Sequence, residues 1–162
     1  MLAIKKLIPH LFTAGNLVGG ILAIIFTLNG NLFLAPFCIF ASAIFDFLDG
    51  FVARLLKVPS ELGKQLDSLA DMVTFGVAPG VIMFQLFSLQ YHKSLDPSYL
   101  NSCLECDSMY TDFPSSYFFP YIAFLIPIFA LFRLAKFNLD TRQSDSFIGL
   151  PTPAMTIFVA AL

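Results

Sequence analysis

The longest stretch of the chain without a charged side chain runs from Leu7 to Phe45, a total of 39 residues. Further charge-free runs of 21, 20 and 17 residues are Met72–His92, Phe113–Phe132 and Ser146–Leu162. A helix that crosses a bilayer needs about 20 mostly apolar residues. The first run is long enough for most of two such helices, separated by the turn signal Asn29–Gly30–Asn31. The chain is therefore predicted to be an integral membrane protein.

The composition excludes most soluble classes. Hydrophobic residues make up 57% of the 162 residues and charged residues only 12%, whereas an average soluble domain has about 25% charged residues. The net charge of −2 gives no basic surface for a nucleic-acid partner. Lys5 and Lys6 precede an apolar stretch, as in a signal peptide, but Asn16 and several glycines interrupt that stretch and further spans follow it.

Four spanning helices are predicted in an all-α transmembrane bundle. Their expected bounds are Thr13–Leu28, Leu32–Lys57, Glu61–Leu89 and Tyr117–Phe137. Pro59 ends the second helix, since proline disfavours helical geometry in the preceding residue, and Ser60 is a suitable N-cap for the third. Polar loops are expected over residues 90–116 and 138–146. The final apolar segment, from Thr152, has only 11 residues and is too short to span a bilayer. We therefore expect residues 1–162 to form one membrane-embedded domain that is truncated and continues in further helices of a longer protein.

The basic residues predict the orientation of the bundle. Eight of the nine fall on the side that holds the N-terminus, and only Lys93 falls on the other. Loops rich in lysine and arginine face the cytoplasm, so the N-terminus is predicted to be cytoplasmic and the loop of residues 90–116 external. Cys103 and Cys106 in that loop are compatible with a disulfide or with two free thiols.

Four aspartates are expected to meet at the cytoplasmic end of the second and third helices. Asp46 and Asp49 share one helical face, as do Asp67 and Asp71, and one short turn joins the two helices. Carboxylates in an apolar setting are costly and usually functional. Oxygen ligands suit Mg²⁺, Mn²⁺ or Ca²⁺, and two such ions can clamp a phosphate. The structural alternative is a set of ion pairs with nearby basic residues, namely Arg54, Lys57 and Lys64.

The same residues form a longer pattern. From Asp46 to Asp71 the sequence reads D-x2-D-G-x2-A-R-x8-G-x3-D-x3-D, which has eight fixed positions over 26 residues. This resembles the signature of the CDP-alcohol phosphatidyltransferases. Surrounding motifs resemble the members that use serine: Phe12–Thr13–x–x–Asn16, residues 66–71, Phe75–Pro79, residues 133–138 and Gly149–Pro153. His10 departs from the family pattern, where asparagine is frequent.

The resemblance implies a reaction and a set of site residues. The hydroxyl of L-serine would attack the β-phosphoryl group of CDP-diacylglycerol, giving the serine phospholipid and CMP. Asp46, Asp49 and Asp67 would hold two divalent cations, Mg²⁺ or Mn²⁺, while Asp71 would be the catalytic base and a further metal ligand. The residues implied to bind CDP are Thr13, Asn16, Asp49, Gly50, Ala53, Arg54 and Gly63. Membrane lipids are the expected surroundings.

The acceptor site is less well defined by the sequence. Arg133 and Lys136 share a face at the cytoplasmic end of the fourth helix, where they would either bind the serine carboxylate or anchor the helix at the membrane surface. Asn138 would either bind a polar group or cap the helix. Other acceptors, such as glycerol 3-phosphate or inositol phosphate, stay open, as do a cation transporter and a non-catalytic scaffold. Two small-residue motifs, Gly15-x3-Gly19 and Gly76-x3-Gly80, favour packing inside the bundle over a homodimer interface.

Overall fold

The computed structural model describes residues 2–56, 61–95 and 118–139, together with Thr156 and Val159. All regular structure in these ranges is helical, as the sequence predicted. The α-helices are α1 (Leu2–Leu28), α2 (Leu34–Leu55), α3 (Glu61–Asp71), α4 (Ala78–Leu95) and α5 (Leu125–Leu139). A π-helical segment, Met72–Val77, joins α3 to α4, and a 3-10 segment, Phe119–Phe124, leads into α5.

Four stretches in the described ranges are long and apolar enough to cross a membrane: Leu7–Leu28, Leu34–Leu55, Glu61–Gln90 and Phe119–Lys136. Large apolar side chains on these stretches face outward; Phe33 is 75% exposed and Phe47 is 70% exposed. In a bilayer such side chains meet lipid tails rather than water. The four predicted spans are therefore confirmed as helices of suitable length and composition.

Several predicted helix ends were wrong. α1 begins at Leu2 rather than Thr13, and it contains Pro9. α4 continues to Leu95, and α5 continues to Leu139 and so includes Asn138, for which a loop was expected. The physical reason is that polar residues mark where a helix leaves the hydrocarbon, and they do not by themselves end a helix. The predicted end at Lys57 and the turn at Pro59 and Ser60 lie outside the described residues.

The π-helical segment interrupts what the sequence predicted as one continuous helix. Pro79 follows it, and a proline has no N–H to donate and its ring clashes with the carbonyl four residues earlier, here that of Phe75. The wider π turn avoids this clash, with the N–H of Ala78 donating to the carbonyl of Val73. The Phe75 carbonyl instead accepts a 2.9 Å hydrogen bond from the buried hydroxyl of Thr156.

Helix α1 lies at the centre of the bundle because two adjacent glycines allow close contact on two of its faces. A side chain at Gly19 would collide with Ser42 of α2, and one at Gly20 would collide with Thr74 of the π-helical segment. α1 thus packs against α2 and against the α3–π–α4 segment. The Asn29–Gly30 turn between α1 and α2 is confirmed, with Gly30 at a φ of 77°.

Helix α5 docks on the α3–π–α4 segment through the second small-residue motif. A side chain at Gly76 would meet Ala130, and one at Gly80 would meet Pro127. Since Gly15 of the first motif lies against Phe45, the glycines of both motifs contact helices of their own chain. This is the internal packing that the sequence favoured.

Candidate active site

The four signature aspartates lie near one end of the bundle. Asp46 and Asp49 precede the end of α2 at Leu55, while Asp67 and Asp71 follow the start of α3 at Glu61. One carboxylate oxygen from each of Asp46, Asp49 and Asp67 lies within 4.8 Å of the others. The convergence predicted from helix faces therefore occurs for these three residues, although they come from two helices.

Asp71, the last residue of α3, completes the group and is contacted by a residue of α1. Its Oδ1 accepts a 3.0 Å hydrogen bond from Nδ2 of Asn16, and its carboxyl group is adjacent to that of Asp46. Asn16 has no exposed surface. The structure thus brings all four aspartates together and adds a buried amide from a third helix.

Two oxygens of this aspartate cluster (Asp46, Asp49, Asp67 and Asp71) are conspicuously unsatisfied. Oδ2 of Asp49 and Oδ1 of Asp67 are buried and have no hydrogen-bond partner in the described part of the chain, and Asp49 is only 6% exposed. A buried carboxylate oxygen without a partner is costly, because nothing replaces the water that it loses.

No lysine or arginine side chain from the described ranges neutralises the cluster. The polar neighbours of its carboxylates are one another and three residues of α1, namely His10, Thr13 and Asn16. Arg54 and Lys64 are exposed, and Lys57 lies outside the described residues. A divalent cation bound by carboxylate oxygens would satisfy the buried oxygens and offset the negative charge, so the donor set fits such an ion.

The other residues expected to bind CDP lie around this cluster or between it and the end of the bundle. Thr13 is buried and adjacent to Asp49. Gly50 is exposed, and a side chain added there would meet no atom within 4 Å. Ala53 and Gly63 are half-buried and Arg54 is exposed; Ala53 and Arg54 lie about one turn beyond Asp49 and Gly63 about one turn before Asp67.

The two basic residues of α5 lie toward the same end of the bundle. Ala130 faces Gly76 and Pro127 faces Gly80, so α5 runs antiparallel to the π-helical segment and heads toward the level of Asp71. Arg133, which is half-buried, is three residues beyond Ala130, or about 4.5 Å along the helix axis. Lys136 is exposed one turn later. Asn138 is helical, but its side chain is outside the described part of the structure.

Sequence reasoning missed the contacts that hold α1 against the aspartate cluster. Thr74 Oγ1 donates a 3.1 Å hydrogen bond to the carbonyl oxygen of Asn16, and Gly20 makes room for Thr74. The doublet Gly19–Gly20 was the available signal, since adjacent glycines allow close approach on two faces of one helix. His10, flagged as a departure from the family pattern, has a buried Nδ1 without a partner among described residues.

Comparison with known proteins identifies the family of the chain. Residues 6–162 match the model of the CDP-alcohol phosphatidyltransferase family. A Helicobacter pylori (strain J99) relative named CDP-diacylglycerol–serine O-phosphatidyltransferase is 35% identical over 155 residues, which cover 94% of this chain and 55% of the relative. A Bacillus subtilis relative of the same name is 34% identical over 150 residues, or 90% of this chain and 69% of the relative.

A more distant relative has a related name. The archaetidylserine synthase of Methanothermobacter thermautotrophicus is 28% identical over 156 residues, covering 95% of this chain and 56% of the relative. The chain therefore spans about half the length of the Helicobacter and Methanothermobacter relatives. No solved structure matches the chain significantly. The family match over residues 6–162, a range that includes the aspartate cluster, shows that the chain belongs to the CDP-alcohol phosphatidyltransferase family.

Proposed function

We propose that this chain transfers the phosphatidyl group of CDP-diacylglycerol to the hydroxyl of L-serine, giving phosphatidylserine and CMP. The observation that carries the proposal is the aspartate cluster, which is built from the family signature and has buried oxygens without partners. The choice of serine is supported by the names of the Helicobacter and Bacillus relatives at 34–35% identity.

Asp46, Asp49 and Asp67 would hold two divalent cations, Mg²⁺ or Mn²⁺, with Asp71 as a further ligand. When bound, the ions would stabilise the negative charge that develops on the transferring phosphoryl group. The support for this assignment is the donor set itself, since three carboxylate oxygens lie within 4.8 Å of one another.

Asp71 would act as the base. A serine hydroxyl is a weak nucleophile, and a carboxylate within reach can take its proton as the new bond forms. The serine oxygen bonds to the β-phosphorus, and the bond from that phosphorus to the bridging oxygen breaks. That oxygen leaves with CMP, and the proton of the hydroxyl goes to Asp71.

The substrates would enter from the end of the bundle that carries the cluster. CDP would be bound by residues of α1, α2 and α3, namely Thr13, Asn16, Asp49, Gly50, Ala53, Arg54 and Gly63. The open space beside Gly50 supports a ligand close to the α2 backbone, and the exposed Arg54 suits a phosphate oxygen. The diacyl tails would stay in the lipid. Arg133, Lys136 and Asn138 would bind serine.

The proposed orientation places the N-terminus and the active site at the cytoplasmic face of a bacterial-type cytoplasmic membrane. The support is the distribution of basic residues predicted from the sequence, which puts eight on the side of the N-terminus and one on the other. Reporter fusions after Leu28 and after Leu55 test it: only the Leu55 fusion is expected to report a cytoplasmic location. A homodimer stays a prediction, which cross-linking in native membranes would test.

The decisive experiment measures CMP release from CDP-diacylglycerol by the purified protein in detergent. Release that requires serine, requires Mg²⁺ or Mn²⁺, and falls to a small residual rate in Asp71→Asn would support the proposal. Glu61→Gln is the matched control, because Glu61 is an exposed acidic residue on the same helix and should keep full activity. Release with glycerol 3-phosphate or inositol phosphate, and none with serine, would reassign the acceptor. Metal flux in liposomes without any CMP release would favour the transporter.

A further inference from the structure

We propose that Asn16 is a positioning residue, which holds the carboxyl group of Asp71 in its working orientation. The Asn16 amide donates to Asp71 Oδ1 at 3.0 Å, and the CDP contact proposed above is the alternative role for this side chain. The inference rests on the proposed function in one respect, namely that Asp71 is the base. It adds a structural reason why this aspartate would face its substrate in one fixed way.

The hydrogen bond is well placed to fix Asp71. Asn16 has no exposed surface, so water does not compete for its amide, and hydrogen bonds are stronger in such surroundings than at a surface. The terminal torsion of an aspartate is broad when nothing restrains it. A buried donor on one oxygen selects one orientation and leaves the other oxygen for its remaining neighbours, of which Asp46 is one.

The backbone around Asn16 is itself held against the segment that carries Asp71. Thr74, three residues after Asp71, donates its hydroxyl to the Asn16 carbonyl oxygen at 3.1 Å. One turn further along α1, Gly20 lies so close to Thr74 that an added side chain would come within 2.9 Å of the Thr74 Cα. Two successive turns of α1 are therefore fixed against one face of the α3–π segment, and the amide cannot readily move away from Asp71.

The same geometry limits what Asn16 can do for the nucleotide. Its Nδ2 is engaged with Asp71, whereas its Oδ1 is buried and has no partner within the described ranges. A nucleotide contact would have to use Oδ1 or the second N–H of Nδ2. The two roles predict different kinetics, because lost positioning lowers kcat, while a lost binding contact raises the KM for CDP-diacylglycerol.

The test measures kcat and KM for CMP release by the protein and by Asn16→Ala and Asn16→Asp. Both variants remove the amide donor, and Asn16→Asp keeps the side-chain shape. For both we expect kcat to fall by about ten-fold or more, with the KM for CDP-diacylglycerol changed by less than about two-fold. A raised KM with unchanged kcat would overturn the inference and leave the proposed function standing.

Thr27→Val is the matched control for removing a buried polar group from α1. Thr27 is fully buried, and its hydroxyl donates to the Ala23 carbonyl of its own helix, at 2.7 Å. It lies 11 residues from Asn16, or about 16 Å along the axis. Both kinetic constants should be unchanged in this variant, and a fall in kcat like that of Asn16→Ala would count against a specific role for Asn16.

A double-mutant cycle tests whether Asn16 acts through Asp71. Adding Asn16→Ala to Asp71→Asn should lower the residual rate by less than about two-fold, since the group that Asn16 positions is already lost. Effects of the two substitutions that multiply independently would overturn the inference.

If the unmodified protein releases no CMP, the proposed function fails. The coupling between Asn16 and Asp71 is then tested by the thermal midpoints of Asn16→Ala, Asp71→Ala and the double variant. Non-additive midpoints support the coupling, and additive midpoints refute it.

Discussion

Asp49 of α2 and Asp67 of α3 each hold a buried carboxylate oxygen that lacks a hydrogen-bond partner in the described structure. Ligand oxygens of the two residues lie within 4.8 Å of each other and of Asp46. Two helices are thus held so that negative charge accumulates between them in apolar surroundings. Such an arrangement is costly unless a cation enters it, and carboxylates in apolar surroundings are usually functional.

The first prediction concerns metal binding. Asp49→Asn and Asp67→Asn each remove a ligand charge, so each should weaken Mn²⁺ binding by about ten-fold or more, as followed by electron paramagnetic resonance. Mn²⁺ should raise the thermal midpoint of the unmodified protein, because a ligand that binds only the folded state stabilises it. Mn²⁺ should raise the thermal midpoint of either variant much less.

Glu61→Gln supplies the control for that prediction. It removes one acidic charge from an exposed position in the first turn of α3, so Mn²⁺ affinity should not change. Unaltered Mn²⁺ affinity in Asp49→Asn and Asp67→Asn would show that the ion binds elsewhere.

The second prediction uses the open space beside Gly50. A methyl group added there meets no atom within 4 Å, and alanine is favoured over glycine in a helix by about 1 kcal/mol. Gly50→Ala should therefore fold with equal or slightly higher stability. If the space belongs to the nucleotide, the KM for CDP-diacylglycerol should rise several-fold. A KM equal to that of the unmodified protein would contradict a ligand at this position.

The third prediction concerns the close contact at Gly20. A methyl group there would collide with the Thr74 side chain and lie within 2.9 Å of its Cα, so α1 or the π-helical segment must shift. We expect Gly20→Ala to lower stability by about 1–3 kcal/mol, measured as a drop in thermal midpoint in detergent. Gly50→Ala is the matched comparison, because the identical change meets no neighbour there. Equal midpoints for the two variants would contradict the packing described.

The fourth prediction concerns Thr156, whose hydroxyl donates a hydrogen bond to the carbonyl oxygen of Phe75. Pro79 cannot donate to that carbonyl, so Thr156→Val should leave it short of a partner and cost about 1–3 kcal/mol. Thr156→Ser keeps the hydroxyl and should recover most of the lost thermal midpoint. If serine is no better than valine, the hydrogen bond contributes little and the methyl group matters instead.

The fifth prediction separates the two basic residues of α5. Arg133 is half-buried and lies on the part of α5 that approaches the level of Asp71, whereas Lys136 is exposed. If Arg133 binds the serine carboxylate, Arg133→Gln should raise the KM for serine by about ten-fold, as loss of a charge-assisted hydrogen bond does. Lys136→Gln should have a smaller effect. Equal, small effects from both variants would assign the pair to anchoring at the membrane surface.

Much of the architecture could be predicted from local patterns. The long charge-free runs predicted four spanning helices, and the Asn29–Gly30 turn lies where two of them meet. Because helical positions three and four apart share a face, the spacing of Asp46, Asp49 and Asp67 was enough to predict that their carboxylates converge. These features depend on residues close together in the sequence, where the geometry of one helix, or of two helices joined by a short turn, decides the outcome.

Other features depended on contacts between distant residues. Asn16 and Asp71 are 55 positions apart, and Thr156 and Phe75 are 81 apart, so no local periodicity pairs them. Asp71 and Thr74 are three residues apart, which predicts that they share a helix face. Only the close contact of Gly20 with Thr74 shows that this face packs against α1. The sequence alone thus determined the class, the spans and the aspartate cluster, since these follow from hydropathy and helix geometry. Only the tertiary structure decided which buried groups hold that cluster in place, because that depends on how closely separate helices approach.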